Sequence, residues 1–181
     1  MAVTSAVVVG CGGQCCQTDQ VHQWLVGGAL IEGPDGLLLV QNRRRDGRVD
    51  WSPPGGVIDE GESLLEGLGR EVQEETGLVV TAWEGPVYSI EAEAPGLGWT
   101  LRVEVHRAVA FEGRLVVDDP DGIVVDARFV DPGACAGHLT EGHPWVREPL
   151  VEWLGERWVG TRGFGYRVEG DDLATLTVRR L

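Results

Sequence analysis

Residues 56–78 read GVIDEGESLLEGLGREVQEETGL. Glu71, Glu74 and Glu75 stand at i, i+3 and i+4, which at about 100° per residue places them on one side of a helix. Like charges at that spacing repel by roughly a few tenths of a kcal/mol per pair. A helix carrying them therefore asks for a compensating cation, and carboxylate oxygens suit a hard divalent ion; the plainer alternative is a solvated acidic face. Ser63 and Glu66 have the S-x-x-E form of a capping box, which places a helix start beside Glu62. Leu65, Leu68 and Val72, with Leu64 beside them, form a stripe expected to be buried. On a helical wheel that stripe abuts Glu71 and Glu75, which sets these carboxylates at the edge of the core. Gly77 supplies the helix stop. Gly67 and Gly69 each cost such a helix about 1 kcal/mol relative to Ala, and the sequence shows no reason for either.

The same stretch fits the signature G-x5-E-x7-R-E-U-x-E-E-x-G-U, with U aliphatic, at every fixed position. Gly56, Glu62, Arg70, Glu71, Val72, Glu74, Glu75, Gly77 and Leu78 occupy it in turn, and Trp51-Ser52-Pro53-Pro54-Gly55 leads into it. On these residues the chain resembles the Nudix hydrolases. The resemblance implies an α/β fold, a Nudix-type α/β/α sandwich with a mixed β-sheet. It also implies hydrolysis of a pyrophosphate bond in a nucleoside triphosphate or nucleoside diphosphate derivative, a water activated by metal attacking phosphorus. Mg2+ or Mn2+ would be held by Glu71, Glu74, Glu75 and the backbone carbonyl of Gly56, while Glu62 and Arg70 pair to fix the loop onto the helix. The candidate catalytic residues are Glu74, Glu75, Arg70 and Glu141, and the general base stays open between the box carboxylates and Glu141. Two other readings stand beside this one. A Nudix-fold module that binds a nucleotide as a sensor would ordinarily show a damaged box, and this box is intact. An ADP-ribose or sugar-nucleotide pyrophosphatase is the alternative among enzymes, with Pro95 near a position where such enzymes carry proline.

Composition narrows the partners. The chain has 181 residues, 24% charged and 43% apolar, which suits one globular domain with appendages. Its formal net charge of −14 speaks against a nucleic-acid polymer or an anionic membrane as partner. It also sets a problem for an anionic substrate, which bound cations and local arginines have to solve. All 15 basic residues are Arg, so lysine nucleophiles and Schiff bases are excluded. The partner expected is a small-molecule nucleotide.

Residues 1–20 read as an N-terminal tail, 21–158 as the Nudix domain and 159–181 as a C-terminal β-hairpin extension. Cys11, Cys15 and Cys16 with His22 are a weak candidate zinc group, since adjacent cysteines lack the C-x2-C spacing. Val8-Val9-Gly10-Cys11 faintly resembles a lipoprotein cleavage site but lacks a basic segment ahead of it. The cysteines read more simply as reduced thiols, and the expected location is cytoplasmic. No apolar run approaches the roughly 18 residues a membrane helix needs.

Strands are expected over 23–31 and 36–41, joined by the turn Pro34-Asp35-Gly36. The second, continuously apolar, should be central. It ends in Arg43-Arg44-Arg45, read as a clamp for substrate phosphates or as a solvated loop. Further strands are expected over 79–91, 99–111 and 123–130. In 99–111 the alternation of Leu101, Val103 and Val105 with Arg102, Glu104 and His106 predicts one wet face. Asp118-Asp119-Pro120-Asp121-Gly122 reads as an acidic turn. The polar loop that follows carries His138, Glu141 and His143 into a helix over 145–158, where Trp145 is a candidate stacking surface for a base. Phe164, Tyr166 and Val168 alternate in one arm of the tail hairpin, which alone would be marginal and so needs the core or a homodimer partner to pack on.

Overall fold

The computed structural model describes residues 21–170 and 176–181. The readings made on residues 1–20, the cysteine group and the leader-like segment among them, lie outside this range. Among the described residues eight strands form one sheet, strongly split at its centre.

The split starts at the first hairpin. Strand β1 (His22–Gly33) pairs with β2 (Gly36–Arg43) only where the two join, at Glu32↔Leu37 and Gly33↔Gly36. They then diverge. In one wing β2 is flanked antiparallel by β3 (Val49–Ser52) and β6 (Val124–Val130). In the other, β1 runs parallel to β5 (Trp99–Gly113), β5 antiparallel to β4 (Leu78–Ala94), and β4 parallel to β7 (Arg162–Glu169). The last strand, β8 (Thr177–Arg180), is antiparallel to β7. The tail hairpin is thus continuous with the main sheet. Phe164, Tyr166 and Val168 are buried in its core, so the packing that a lone hairpin lacks is supplied within the chain.

Helix α1 (Leu64–Thr76) covers one face, against β1 and β4; helix α3 (Pro144–Glu156) covers the other, against β4 and β7. A short helix, α2 (Pro132–His138), precedes α3. Because strand side chains alternate, the continuous apolar run of β2 serves both layers. Leu37 and Leu39 join the α3-side core, Leu38 and Val40 the α1-side core, and all four are buried. No described helix is long and apolar enough to cross a membrane.

Where β2 leaves β1, the edge of β1 needs partners. The loop after β3 provides them. Ala29 N–H donates to Pro54 O at 2.9 Å, Gly27 N–H to Gly56 O at 3.0 Å, and Ile58 N–H to Leu25 O at 3.0 Å, with a bridge between Val26 and Val57. This lays Gly55 and Gly56 across the mouth of the split.

Two expectations fail in detail. Leu65, placed in the buried stripe, is 39% exposed: it sits in the first turn of α1, and the buried arc is rotated toward Gly67, Glu71 and Glu75. His106, placed on a wet face, is 6% exposed, because β4 changes register between Glu84 and Tyr88 and brings Gly85 over the imidazole.

Candidate active site

The caps of α1 fix its position before any catalytic question arises. Glu66 accepts from the backbone N–H of Ser63 at 3.1 Å and from its hydroxyl at 2.6 Å, and Gly77 closes the last turn by donating to Gln73 O at 2.9 Å. Leu68 and Val72, fully buried, seat the helix on the sheet, each contributing about 1.5–3 kcal/mol. The carboxylates one position before and three after Val72 are drawn under the glycine loop by the same rotation.

Glu71 is 5% and Glu75 8% exposed. Glu71 lies so close to Gly56 that a Cβ there would stand 2.4 Å from its Oε2. Glu75 Oε2 accepts the N–H of Gly55 at 2.8 Å. Gly55 has φ +141°, and a Cβ on it would meet Gly27 O at 2.2 Å, so only glycine fits between the carboxylate and β1. Burial pushes the Glu75 carboxyl up to about 8, against the Gly55 hydrogen bond, with the charges of Glu71 and Asp119 pushing the same way as burial.

Arg70 is the cation among these acids. Its Nε and Nη2 donate to the two oxygens of Glu62, both at 3.0 Å, while Nη1 donates to Glu71 at 2.8 Å and Glu74 at 3.2 Å. The fork onto Glu62 ties the 59–62 turn to the helix, and Glu62 Oε2 also accepts the N–H of Asp59 at 3.3 Å. Glu62, in turn, explains Gly67: a Cβ there would lie 2.8 Å from its Oε2 and 3.0 Å from Ile58 Cδ1.

Among the described residues no three His, Cys, Asp or Glu side chains converge as a ready metal cage. Glu74 is turned outward to Arg70, its side chain 41% exposed, while Glu71 and Glu75 face the loop. The donor chemistry still fits a hard cation: oxygen ligands only, two buried carboxylates one helical turn apart, and Glu74 on the same helix with a more exposed side chain. The Gly56 carbonyl accepts one N–H, that of Gly27, and a carbonyl oxygen has two lone pairs.

The expected substrate-side residues divide. Arg44 is not an open phosphate clamp: its Nε and Nη2 both donate to Asp50 at 2.6 Å, knitting β2 to β3, and Asn42 joins the network. Arg43 and Arg45 are exposed. Trp145 is buried in the α3-side core, edge-on to Trp99 with centroids 6.4 Å apart, and one of its faces is covered by His143 at 4.2 Å. Its ring is therefore core rather than an open platform. Glu141 is exposed, in a short 3-10 turn over Leu139–Glu141 that packs on β3. Next to it, Gly142 approaches Trp51 O, while His138 meets the Trp51 ring edge-on at 5.3 Å and Arg128 lies 4.9 Å over that ring. The loop before α3 is thus brought to the strand that leads into the glycine loop. Asp119, read as a turn former, does that work: it accepts from the N–H groups of Asp121, Ile123 and Val124. Gly55 is the site residue the sequence reading passed over; its signal was two successive glycines after Pro53-Pro54.

A family model, that of the NUDIX domain, matches residues 22–154, most of the chain. The chain belongs to the Nudix family. The Nudix fold agrees with solved structures at low identity. The Escherichia coli ORF135 protein superposes with a TM-score of 0.63 at 22% identity, over 78% of this chain and 96% of that one. The MutT protein from Bacillus halodurans gives 0.63 at 22%, over 86% and 97%. In sequence, the mouse 8-oxo-dGDP phosphatase NUDT18 is 32% identical over 76 residues, which are 42% of this chain and 22% of the relative. The putative mutator protein MutT4 of Mycobacterium tuberculosis is 41% identical over 64 residues, 32% of this chain and 26% of its own length. The matched stretch spans about a quarter of these relatives. Family and fold thus agree: the described residues carry a Nudix domain.

Proposed function

We propose that this Nudix hydrolase cleaves the pyrophosphate bond of a nucleoside triphosphate or nucleoside diphosphate derivative in a reaction that requires Mg2+ or Mn2+. The observation that carries the reading is the pair of buried carboxylates, Glu71 and Glu75, held against Gly56 and Gly55 at the mouth of the split sheet. Keeping both groups ionised there is costly without a cation, and an anionic substrate would add to the cost. Bound Mg2+ or Mn2+ would neutralise the diphosphate and supply a water of lowered pKa.

The chain's own residues have separate tasks in this scheme. Glu71, Glu74 and Glu75 with the Gly56 carbonyl would hold the cation. Glu74, the most accessible of the three, is the first candidate to take the proton of the attacking water; Glu141 is the second. Arg70 and Glu62 keep the 59–62 turn and the helix in register. Arg43 and Arg45, exposed at the end of β2, would meet phosphate oxygens.

The test is a nucleotide screen with Mg2+ that separates phosphate from pyrophosphate release. Nucleoside diphosphates, 8-oxo-dGDP included, stand first in it because the NUDT18 relative bears that name. Glu74→Gln should lower turnover at least a hundredfold, in keeping with loss of a general base, while the far-ultraviolet spectrum stays unchanged. Turnover that survives both this substitution and EDTA would refute the assignment.

A further inference from the structure

We propose that the face around Val159 docks a second copy of this chain about a two-fold axis, each Val159 entering the cleft beside the other. Val159 is fully exposed, more so than any other large apolar side chain among the described residues. It does not sit on a loose end. Arg157 closes α3 with φ +50°, a left-handed conformation that costs a residue with a side chain about 1 kcal/mol or more. Its guanidinium lies 4.1 Å over the Trp153 ring, and its Nη1 donates to Glu32 at 2.7 Å. Beyond it, the Trp158 indole N–H donates to Val87 O at 2.9 Å and the Thr161 hydroxyl to Pro86 O at 2.6 Å. The valine is thus presented on a turn anchored at both sides.

Val159 stands at a cleft of about 490 Å3 whose apolar walls include Val87, Trp153 and Trp158. The ions in this cleft already have partners. Glu32 bridges Arg157 at 2.7 Å and Arg107 at 3.1 Å, and Arg107 also donates to Glu84 at 3.3 Å. Two arginines against two glutamates leave no net charge to single out a small ionic ligand. An apolar knob and a hole with apolar walls on one face are what an isologous contact requires, since the same patch supplies both halves. Charge points to the same occupant. The chain carries a formal net charge of −14, so two copies repel unless they meet where the local charge cancels. The charged lining of this cleft does cancel. Glu84, its side chain 64% exposed, and Arg157, 40% exposed, give a rotated copy opposite signs to meet. Glu32 lies five residues along β1 from Gly27, roughly 16 Å. The contact is therefore apart from the Gly55–Gly56 loop, and it does not depend on what that site hydrolyses.

Sedimentation velocity of the full chain across the micromolar range tests this, with turnover recorded alongside. Wild type is compared with Val159→Glu, Val159→Ala and Val49→Glu, the last placing the same charge on an exposed valine of β3. Wild type should form a dimer. Each dimer buries position 159 twice, so Val159→Glu should raise the dissociation constant at least about a hundredfold and Val159→Ala about tenfold. Val49→Glu should stay within about threefold of wild type, as expected of a residue outside the contact. Position 159 packs on nothing within one copy, and an unchanged far-ultraviolet spectrum checks that the fold is kept. If Val159→Glu fails to fold, Val159→Ala, which only removes methyl groups, decides by the same measurement. A wild type that stays monomeric throughout would overturn the proposal. So would a dimer that the Val159 variants leave intact, or one that Val49→Glu weakens equally. A dimer with the expected Val159 dependence and no turnover would sink the hydrolase reading alone, whereas a monomer with full turnover would sink this one alone.

Discussion

Glu75 accepts the backbone N–H of Gly55 at 2.8 Å across 20 residues of sequence, and this hydrogen bond opposes the burial of its charge. Its folded pKa of about 8 stands above the ordinary 4.5. The folded state therefore holds the proton more tightly than the unfolded chain does. Stability from this group is full below about pH 4.5 and declines as pH rises toward 8. The metal-free protein should lose stability over that window, by at most about 1.4 kcal/mol per pH unit. Glu75→Gln keeps an acceptor for Gly55 and has no charge to bury. It should flatten the pH dependence, raise metal-free stability at pH 8 and abolish turnover. Urea midpoints at pH 5 and pH 8, with and without Mg2+, check this; the same pH slope in both proteins would contradict it.

Gly56 and Glu71 are in contact, and the contact is unforgiving. The φ of Gly56 is not in the left-handed region, so Gly56→Ala meets no backbone obstacle. The obstacle is the Glu71 carboxylate, 2.4 Å from the new methyl. Forcing the two apart should cost about 1–3 kcal/mol of stability and displace a carboxylate from the site. Pairing it with Glu71→Ala should restore most of the stability and none of the turnover. Thermal melts of the two single variants and the double variant give the coupling directly.

Arg70 joins Glu62, Glu71 and Glu74 through donors in fixed directions. Lysine carries the same charge on one nitrogen and cannot fork onto Glu62 while reaching Glu71. Arg70→Lys should therefore lower kcat more than tenfold, with a modest stability loss of about 1 kcal/mol, since the pair is partly exposed. Wild-type kcat in that variant would show that the fork is dispensable.

The α1 segment was legible because its signals are local. The cap residues, the glycine stop and the acidic spacing all act within one or two turns, and each appears where the sequence puts it. The β2 run was legible for a related reason: four successive apolar residues can be buried only with a layer on each face. Pairings across the chain were not. Nothing local in Arg162–Glu169 says that it lies parallel to β4, and nothing in Pro53-Pro54-Gly55-Gly56 says that it pairs with the edge of β1. His106 was misread because its burial depends on a register shift in another strand. Arg44 and Trp145 have chemistry that suits a ligand, but in the fold Arg44 pairs with Asp50 across the turn between β2 and β3, and Trp145 is packed against Trp99, 46 residues away in sequence.

The two helical glycines left unexplained by the sequence now separate. At Gly67 a Cβ would lie 2.8 Å from Glu62 Oε2 and 3.0 Å from Ile58 Cδ1, so the missing side chain is what lets the 58–62 turn close on the helix. At Gly69 a Cβ would meet nothing within 4 Å. Helix propensity alone then predicts that Gly69→Ala stabilises the protein by about 0.5–1 kcal/mol. Gly67→Ala gains the same propensity but must push back Glu62, the partner of Arg70, and should be destabilising on balance, with reduced turnover. Denaturant midpoints for the two variants decide the matter. Stabilisation by both would mean that the Glu62 turn yields readily, whereas destabilisation by Gly69→Ala would place a contact on that face of α1.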